Sequence, residues 1–564
     1  MCLFKRKILL IFLLIFIPLS MVPALPCLAV TYYVRPDGGA GDQCTGLADA
    51  PYPGSGTDRA CAWSHPFWAL DGAGDWKIQG GDTLLISQGT YRIGINRPET
   101  TPTETPNTAW CDTGWPWECT FPPLPSGPDP EHPTRILGKG WDQGCPDPPE
   151  FWGSERVWQV ISLEGTSNAK IACLELTDRS GCVEHHDNPQ VRCERDTYPY
   201  GDWASDGIYA ADASNITLRN LNVHGFASAG IRAGRISEWT VEEVRIAGNG
   251  WVGWEGDLVD EDDANSGDLV FRKWVVEWNG CAETYPGENP EDCWAQTAGG
   301  YGDGVGTGKT GGHWIIEDSL FRYNTSDGLD LLYARLPDSR IEIRRTMAYG
   351  NAGNQIKVNG PTIIENSLVV GNCGFFEGKP FTYNVDNCRG SGAALALNFR
   401  QGVSVSVMNC TVAGEGDCLA TVECDEYSAC DGSETVTMKN NIFLGYKEFL
   451  EASDRACYLW FDNDNFYKTD IDYNLVFGAK IGVFGLSAHD VNQAPLLKDE
   501  RLSTFDGRLR PGSPAIDSGL GPGGLVPDHD LKRVRRPVGR GVDRGAYEYR
   551  GVPLIPLTLL LTGQ

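Results

Sequence analysis

Ile216-Thr-Leu-Arg-Asn-Leu-Asn-Val223, Trp239-Thr-Val-Glu-Glu-Val-Arg-Ile246 and Leu269-Val-Phe-Arg-Lys-Trp-Val-Val276 share one form. Apolar residues alternate with polar ones, a polar kink follows, and a second short apolar run leads into a turn. The form returns at Trp314–Tyr323, Ile341–Tyr349, Thr362–Val370, Val403–Val412 and Val436–Leu444. Starts at 216, 239, 341 and 362 lie about 21–23 residues apart where no insertion intervenes. A repeat that short holds two or three strands and no helix, and one repeat alone cannot bury its apolar face. Stacked repeats can. The predicted fold is therefore all-β: a right-handed parallel β-helix whose coils lie roughly 4.8 Å apart.

Outward from these repeats, the rest of the chain supplies ends and insertions. Several repeats close on Asn at one register: Asn249, Asn279, Asn324, Asn351 and Asn372. Asn tolerates left-handed turns, and stacked amides bond along a column, so these predict a structural ladder. Upstream, Thr31–Val34 reads as an edge strand and Pro66–Leu70 as a short helix over the open end of the core. Gly81–Ile86 and Gln88–Tyr91 form the first coil. Residues 98–150, dense in Pro and Trp, predict a long disulfide-pinned loop rather than coils. Ser513–Asp517 and Asp543–Glu548 read as a closing segment. Val552–Leu561 is apolar but too short to cross a bilayer. The predicted organisation is a leader over 1–29; an N-terminal cap, first coils and long loops over 30–200; central coils over 201–490; a C-terminal capping segment over 491–550; and an apolar tail over 551–564.

Lys5, Arg6 and Lys7 precede an apolar run from Ile8 to Ile17, then Pro18 and small residues, the pattern of a secretory signal peptide cleaved after Ala29. Its core is too short to span a membrane, so the expectation is a periplasmic or extracellular protein. The 19 cysteines agree with an oxidising compartment. Without Cys2 and Cys27 an odd number remains, which leaves a thiol unpaired or bonded to another chain. Cys111/Cys119, Cys173/Cys182 and Cys281/Cys293 read as loop staples. Cys418, Cys424 and Cys430 recur every six residues and read as loop disulfides in preference to a metal site, since no His lies nearby. Formal net charge is −28 and becomes −31 once the three leader cations go. That balance excludes nucleic acid and anionic membranes as partners, and a polyanionic sugar would need divalent cations as a bridge. A monomer is expected.

Three segments carry candidate chemistry: Asp303-Gly304-Val305-Gly306, Asp327-Gly328-Leu329-Asp330 and Asn354-Gln355-Ile356-Lys357. With Val305, Leu329 and Ile356 pointing into the core, alternation sends Gly306, Asp330 and Lys357 outward on neighbouring coils. Asp303 and Asp327 occupy the turns entering their strands. Asp206-Gly207-Ile208 and Ala229-Gly230-Ile231-Arg232 show the same form, so part of it is turn chemistry. Three carboxylates on adjacent coils make an oxygen-rich site suited to Ca2+. A lysine held near that positive charge has a lowered pKa and serves as a base. Such parts suit β-elimination on a uronic-acid polymer. Arg232 and Arg335 are further candidates for meeting a sugar carboxylate. Asp260, Glu261, Asp262 and Asp263 read as a solvated loop or a second calcium site, and Trp251, Trp254, Trp274, Trp278 and Trp294 as core packing or sugar platforms.

Asp303-Gly304-Val305, Ser326-Asp327-Gly328-Leu329-Asp330 and Ile356-Lys357-Val358 resemble the calcium and catalytic segments of the β-helical pectate lyases of polysaccharide lyase family nine. In that family Asp-Gly, Asp-Asp-Gly-Trp-Asp and Phe-Lys occur in this order on successive coils. The resemblance implies a pectate-lyase-like solenoid in which Asp303, Asp327 and Asp330 bind calcium and Lys357 is the catalytic base acting on an acidic polysaccharide. Ser326 stands where the family tends to have a fourth aspartate, and Leu329 and Ile356 replace aromatics. The match spans residues 303–360. Two other readings stay open: a β-helical glycoside hydrolase using paired aspartates, and a non-catalytic surface or adhesion scaffold.

Overall fold

The computed structural model describes residues 29–94, 120–153, 157–184, 193, 203–256, 258, 262–283, 290–293, 302–379, 387–425, 430–462, 468–482, 485–523 and 526–551. Residues 1–28 of the leader, residues 552–564 of the tail, Cys111, Cys119, Asp260, Glu261 and Trp294 lie outside them. The described chain is a parallel β-helix. One face is a ten-stranded sheet that runs from Val157–Ser162 to Cys457–Phe461. The other two faces join into a 22-stranded sheet, because the longest strands pass round the corner between them. Ser237–Ala247 shows this: it pairs in parallel with Ser214–His224 on one side and with both Ser266–Arg272 and Val275–Glu277 on the other.

The polar kink of the repeat is that corner. On successive coils Asn220, Glu243, Lys273, Asp318, Arg345, Asn366, Asn409 and Asn440 hold φ between 49° and 57°, in the left-handed region. Among residues with a side chain, Asn and Asp enter that region at least cost. Glu, Lys and Arg accept the strain because flanking strand pairs fix them. Inside, Trp239, Trp254, Trp274 and Trp314 are fully buried with Phe271 and Phe321, so Trp254 and Trp274 are core rather than sugar platforms.

The asparagine ladder is present, with one change. Asn249 Nδ2 donates to Asn279 Oδ1 at 2.9 Å, Asn279 to Asn324 at 2.9 Å, and Asn324 to Asn351 at 2.8 Å. It then closes on Gln355 Oε1 at 2.8 Å, not on Asn372, which opens the short helical turn Cys373–Phe376. The longer glutamine side chain reaches back from the strand entry, whereas the chain at Asn372 has begun an insertion. The ladder also explains the recurring glycines. A Cβ on Gly304 would lie 2.4 Å from the Gly328 carbonyl of the next coil and 2.7 Å from Asn324 Nδ2, and one on Gly328 2.5 Å from Asn351 Nδ2 and 2.6 Å from the Gln355 carbonyl. These glycines are needed for close approach, not for turn geometry.

Two further expectations change. Residues 98–150 are not all loop: Thr134–Gly138 and Glu150–Gly153 are coil strands, paired with Thr83–Ile86 and Thr90–Ile93. Short strands among dense Pro and Trp lack the length that periodicity needs. Cys173 bonds Cys145, and Cys182 bonds Cys193, because Cys145 lies beside the strand holding Cys173. Cys281–Cys293 stands as expected, and Cys418–Cys457 and Cys424–Cys430 are disulfides. Cys410 is a free, buried thiol, which burial pushes up to about 12. The short helix Pro66–Ala69 buries Phe67 at the N-terminal end of the core. The C-terminal segment packs along the flank of the coils: Ala515, Leu531, Ala546 and Tyr547 join Leu368, Ile442 and Leu475 in a second apolar cluster. Inside that segment Arg536 meets Glu548 at 2.6 Å, both fully buried. No helix of the described residues is long and apolar enough to cross a membrane.

Candidate active site

The three segments stand on adjacent coils of the ten-stranded sheet. Val305 pairs with Leu329, Leu329 with Ile356, and Asp330 with Lys357. Val305, Leu329 and Ile356 are fully buried, so the residues that follow them point outward. Lys357 is one coil from Asp330, and its side chain keeps 22% of its surface exposed.

Each aspartate divides its two oxygens between scaffold and site. Asp303 Oδ1 accepts from Asp327 N at 2.8 Å, Asp327 Oδ1 from Asn354 N at 2.6 Å, and Asp330 Oδ1 from Leu332 N at 2.8 Å. The first two bonds tie neighbouring coils together, and the third fixes Asp330 within its own coil. The second oxygens of Asp327 and Asp330 both accept from Lys357 Nζ, at 3.2 and 2.9 Å. Asp303 Oδ2 faces the space that Gly306 leaves open, since a Cβ there would lie 3.3 Å from it.

The cluster is buried and crowded with charge. Burial first, then the neighbouring Asp327 and Asp330, push the Asp303 carboxyl up to about 7. Asp330 is raised as well, by burial, against the pull of Lys357. For Lys357, burial lowers the pKa, but Asp330, Asp327 and Asp303 outweigh it and hold the amine well above its ordinary value. The lowered pKa anticipated for Lys357 is thus not what the protein groups alone produce, because the adjoining charges are negative. Among the described residues, no group of three or more His, Cys, Asp or Glu side chains is arranged to hold a metal ion as it stands. Here the outer oxygens turn to Lys357 instead. Their chemistry nevertheless fits a hard divalent cation: they are carboxylate oxygens, anchored through their partners, with room kept by a glycine.

The structure adds a residue that sequence reasoning missed. Arg389 Nη1 donates to Ser326 Oγ at 2.6 Å across 63 residues of chain, and Ser326 in turn bonds Asp303. The position that departs from an aspartate therefore carries a guanidinium beside the trio. Arg389 follows Cys388, which is fixed by its disulfide to Cys373, and Cys388, Gly390 and Ser391 all have positive φ. Nothing in the sequence pattern shows where that insertion lands. The two arginines singled out earlier serve other partners. Arg232 binds Asp206 at 3.0 Å and lies over Trp251, while Arg335 binds Asp425 at 2.7 Å and lies over Tyr333. Asp262–Asp263 forms a two-residue strand paired with Lys309–Thr310. Trp278 packs on Tyr323 and Phe375.

No family model matches the chain, and no curated protein matches it. Among solved structures it is similar to pectate lyase Pel9A, at 16% identity and a TM-score of 0.41, covering 92% of this chain and 96% of that one. It is similar to a rhamnogalacturonan lyase at 14% identity and a TM-score of 0.40, covering 86% and 96%. It is also similar to the A-module of the Azotobacter vinelandii mannuronan C-5 epimerase AlgE4, at 12% identity and a TM-score of 0.34, covering 73% and 91%. The parallel β-helix itself stands on this chain's own strand pairing.

Proposed function

We propose that this protein cleaves an acidic, uronic-acid polysaccharide by calcium-assisted β-elimination, with Lys357 as base. The observation that carries this reading is the single amine of Lys357 set between Asp327 and Asp330 on the exposed side of two adjacent coils. Asp303, Asp327 and Asp330 are the residues that would hold a calcium ion. When bound there, such an ion supplies positive charge that neutralises a uronate carboxylate and acidifies the proton on the adjoining carbon. Lys357 Nζ receives that proton in its neutral form. The carboxylates are what hold its pKa up; with their charge taken up elsewhere, burial is the remaining influence and it favours the neutral amine. The buried backbone bonds of the three Oδ1 atoms keep the carboxylates from following the amine.

One observation favours a second reading. Asp303 and Asp330 are both raised, and a raised carboxyl beside other carboxylates is the arrangement a glycoside hydrolase uses for its acid. Product chemistry separates the two. Pectate, alginate and related polymers are incubated with calcium or with chelator, and the new chain ends are analysed. Elimination leaves a double bond that absorbs in the ultraviolet, and only with calcium. Saturated ends that form equally well in chelator would replace the lyase reading with the hydrolase.

A further inference from the structure

The outward column that holds Asp330 and Lys357 continues along the ten-stranded sheet. Lys357 pairs with Ala396, Ala396 with Thr421, and Thr421 with Trp460 on the last strand, Cys457–Phe461. Leu459 and Phe461 pair with Ala420 and Val422 and are buried, so Trp460 between them faces outward like Lys357. It is 46% exposed, whereas Ala396 and Thr421 are small and 7% exposed each. Between Lys357 and Trp460 the column thus carries no bulky side chain of its own, and it ends in a large exposed ring. Three coil spacings place that ring about 14 Å from the lysine. Beside this column, Asn398 and Glu423 form the next outward column, which offers polar groups to hydroxyls.

We propose that Trp460 is a remote sugar-binding subsite, whose indole stacks on a pyranose ring of the polysaccharide chain held at Lys357. A pyranose has an apolar face of C–H groups and a rim of hydroxyls, which matches an indole bordered by polar side chains. The small residues of the column put no large side chain of their own between the lysine and the ring. This inference rests on the proposed function, because it takes the occupant to be the same acidic polysaccharide.

Binding of galacturonate oligomers of increasing length, from the dimer upward, tests it by calorimetry with calcium in the Lys357→Ala background. Trp460→Ala is expected to leave short oligomers unaffected and to weaken those long enough to reach the ring by about three- to tenfold. Trp460→Phe should restore most of the loss. Melting temperature should stay unchanged, since the side chain is exposed. Equal affinity at every length, or an equal loss at every length, overturns the subsite. If short oligomers bind and only the length dependence is absent, the subsite alone fails. If no oligomer binds and the wild type yields no unsaturated product, the functional reading fails with it.

Discussion

The coils at Asp206 and Arg232 and the coils at Asp327 and Lys357 are two versions of one arrangement. In both, an aspartate enters a strand, a glycine follows, and a basic residue stands outward on the next coil. Asp206 Oδ1 accepts from Ala229 N at 3.0 Å just as Asp327 Oδ1 accepts from Asn354 N. The difference lies in the cation and its company. Arg232 is a guanidinium, permanently charged, bound to a fully buried Asp206 and covered by Trp251. Lys357 is an amine that can give up its proton, and it faces two carboxylates with a third beside them. The first pair is a closed structural bond. Both cations have three carboxylates about them, Asp206, Glu255 and Glu184 around Arg232, but a glycine keeps the front of the second open. Asp-Gly therefore marks the coil, and what distinguishes the candidate site is Asp330, Asp303 and Gly306 around a lysine.

The largest expected effect sets the two cations against each other. Arg232→Met strands a buried carboxylate and should lower unfolding stability by about 3–5 kcal/mol, in calcium and chelator alike. Lys357→Met should lose stability in chelator and regain it with calcium, measured by denaturant or thermal unfolding. Rescue of both variants, or of neither, would erase the distinction.

A smaller effect follows from titration. Asp303 has a folded-state pKa of about 7 against an ordinary 3.8, so its ionisation is disfavoured by folding. Its contribution is neutral below pH 4 and becomes increasingly destabilising as pH rises from about 4 to about 7. Asp178, raised to about 8 by burial, has the same sign. Lys357 remains charged across that window and adds no slope. Melting temperature without divalent cations should fall from pH 4 to 7, and Asp303→Asn should show a shallower fall. An unchanged slope would place Asp303 outside the buried carboxylate cluster. The smallest effect is expected for Gly306→Ala. Its Cβ would touch Asp303 Oδ2 at 3.3 Å, so calcium affinity should drop by calorimetry while stability changes by under about 0.5 kcal/mol. Unaltered affinity would show that the open space is not used.

Much of this was readable in the residues. Period-two alternation fixes which side chains share a face, and the repeat length fixes which coils are neighbours, so the register of Asp303, Asp327, Asp330 and Lys357 followed from local pattern. What escaped depends on contacts between distant segments. Arg389 reaches Ser326 from an insertion whose landing place no periodicity encodes. The partner of Cys173 was hidden because Cys145 follows a strand too short to recognise. The glycines of the Asp-Gly pairs were legible as necessary, but for the wrong reason, since what they make room for is the ladder amide and the backbone of the next coil, not the turn.

The most direct measurement is the initial rate of unsaturated uronide formation from polygalacturonate, with calcium, for wild type and Lys357→Ala. A positioned base contributes about 10²–10⁴-fold, so the variant should lose at least that factor while still folding and binding calcium. A variant that eliminates at the wild-type rate would contradict the assignment of Lys357 as the base.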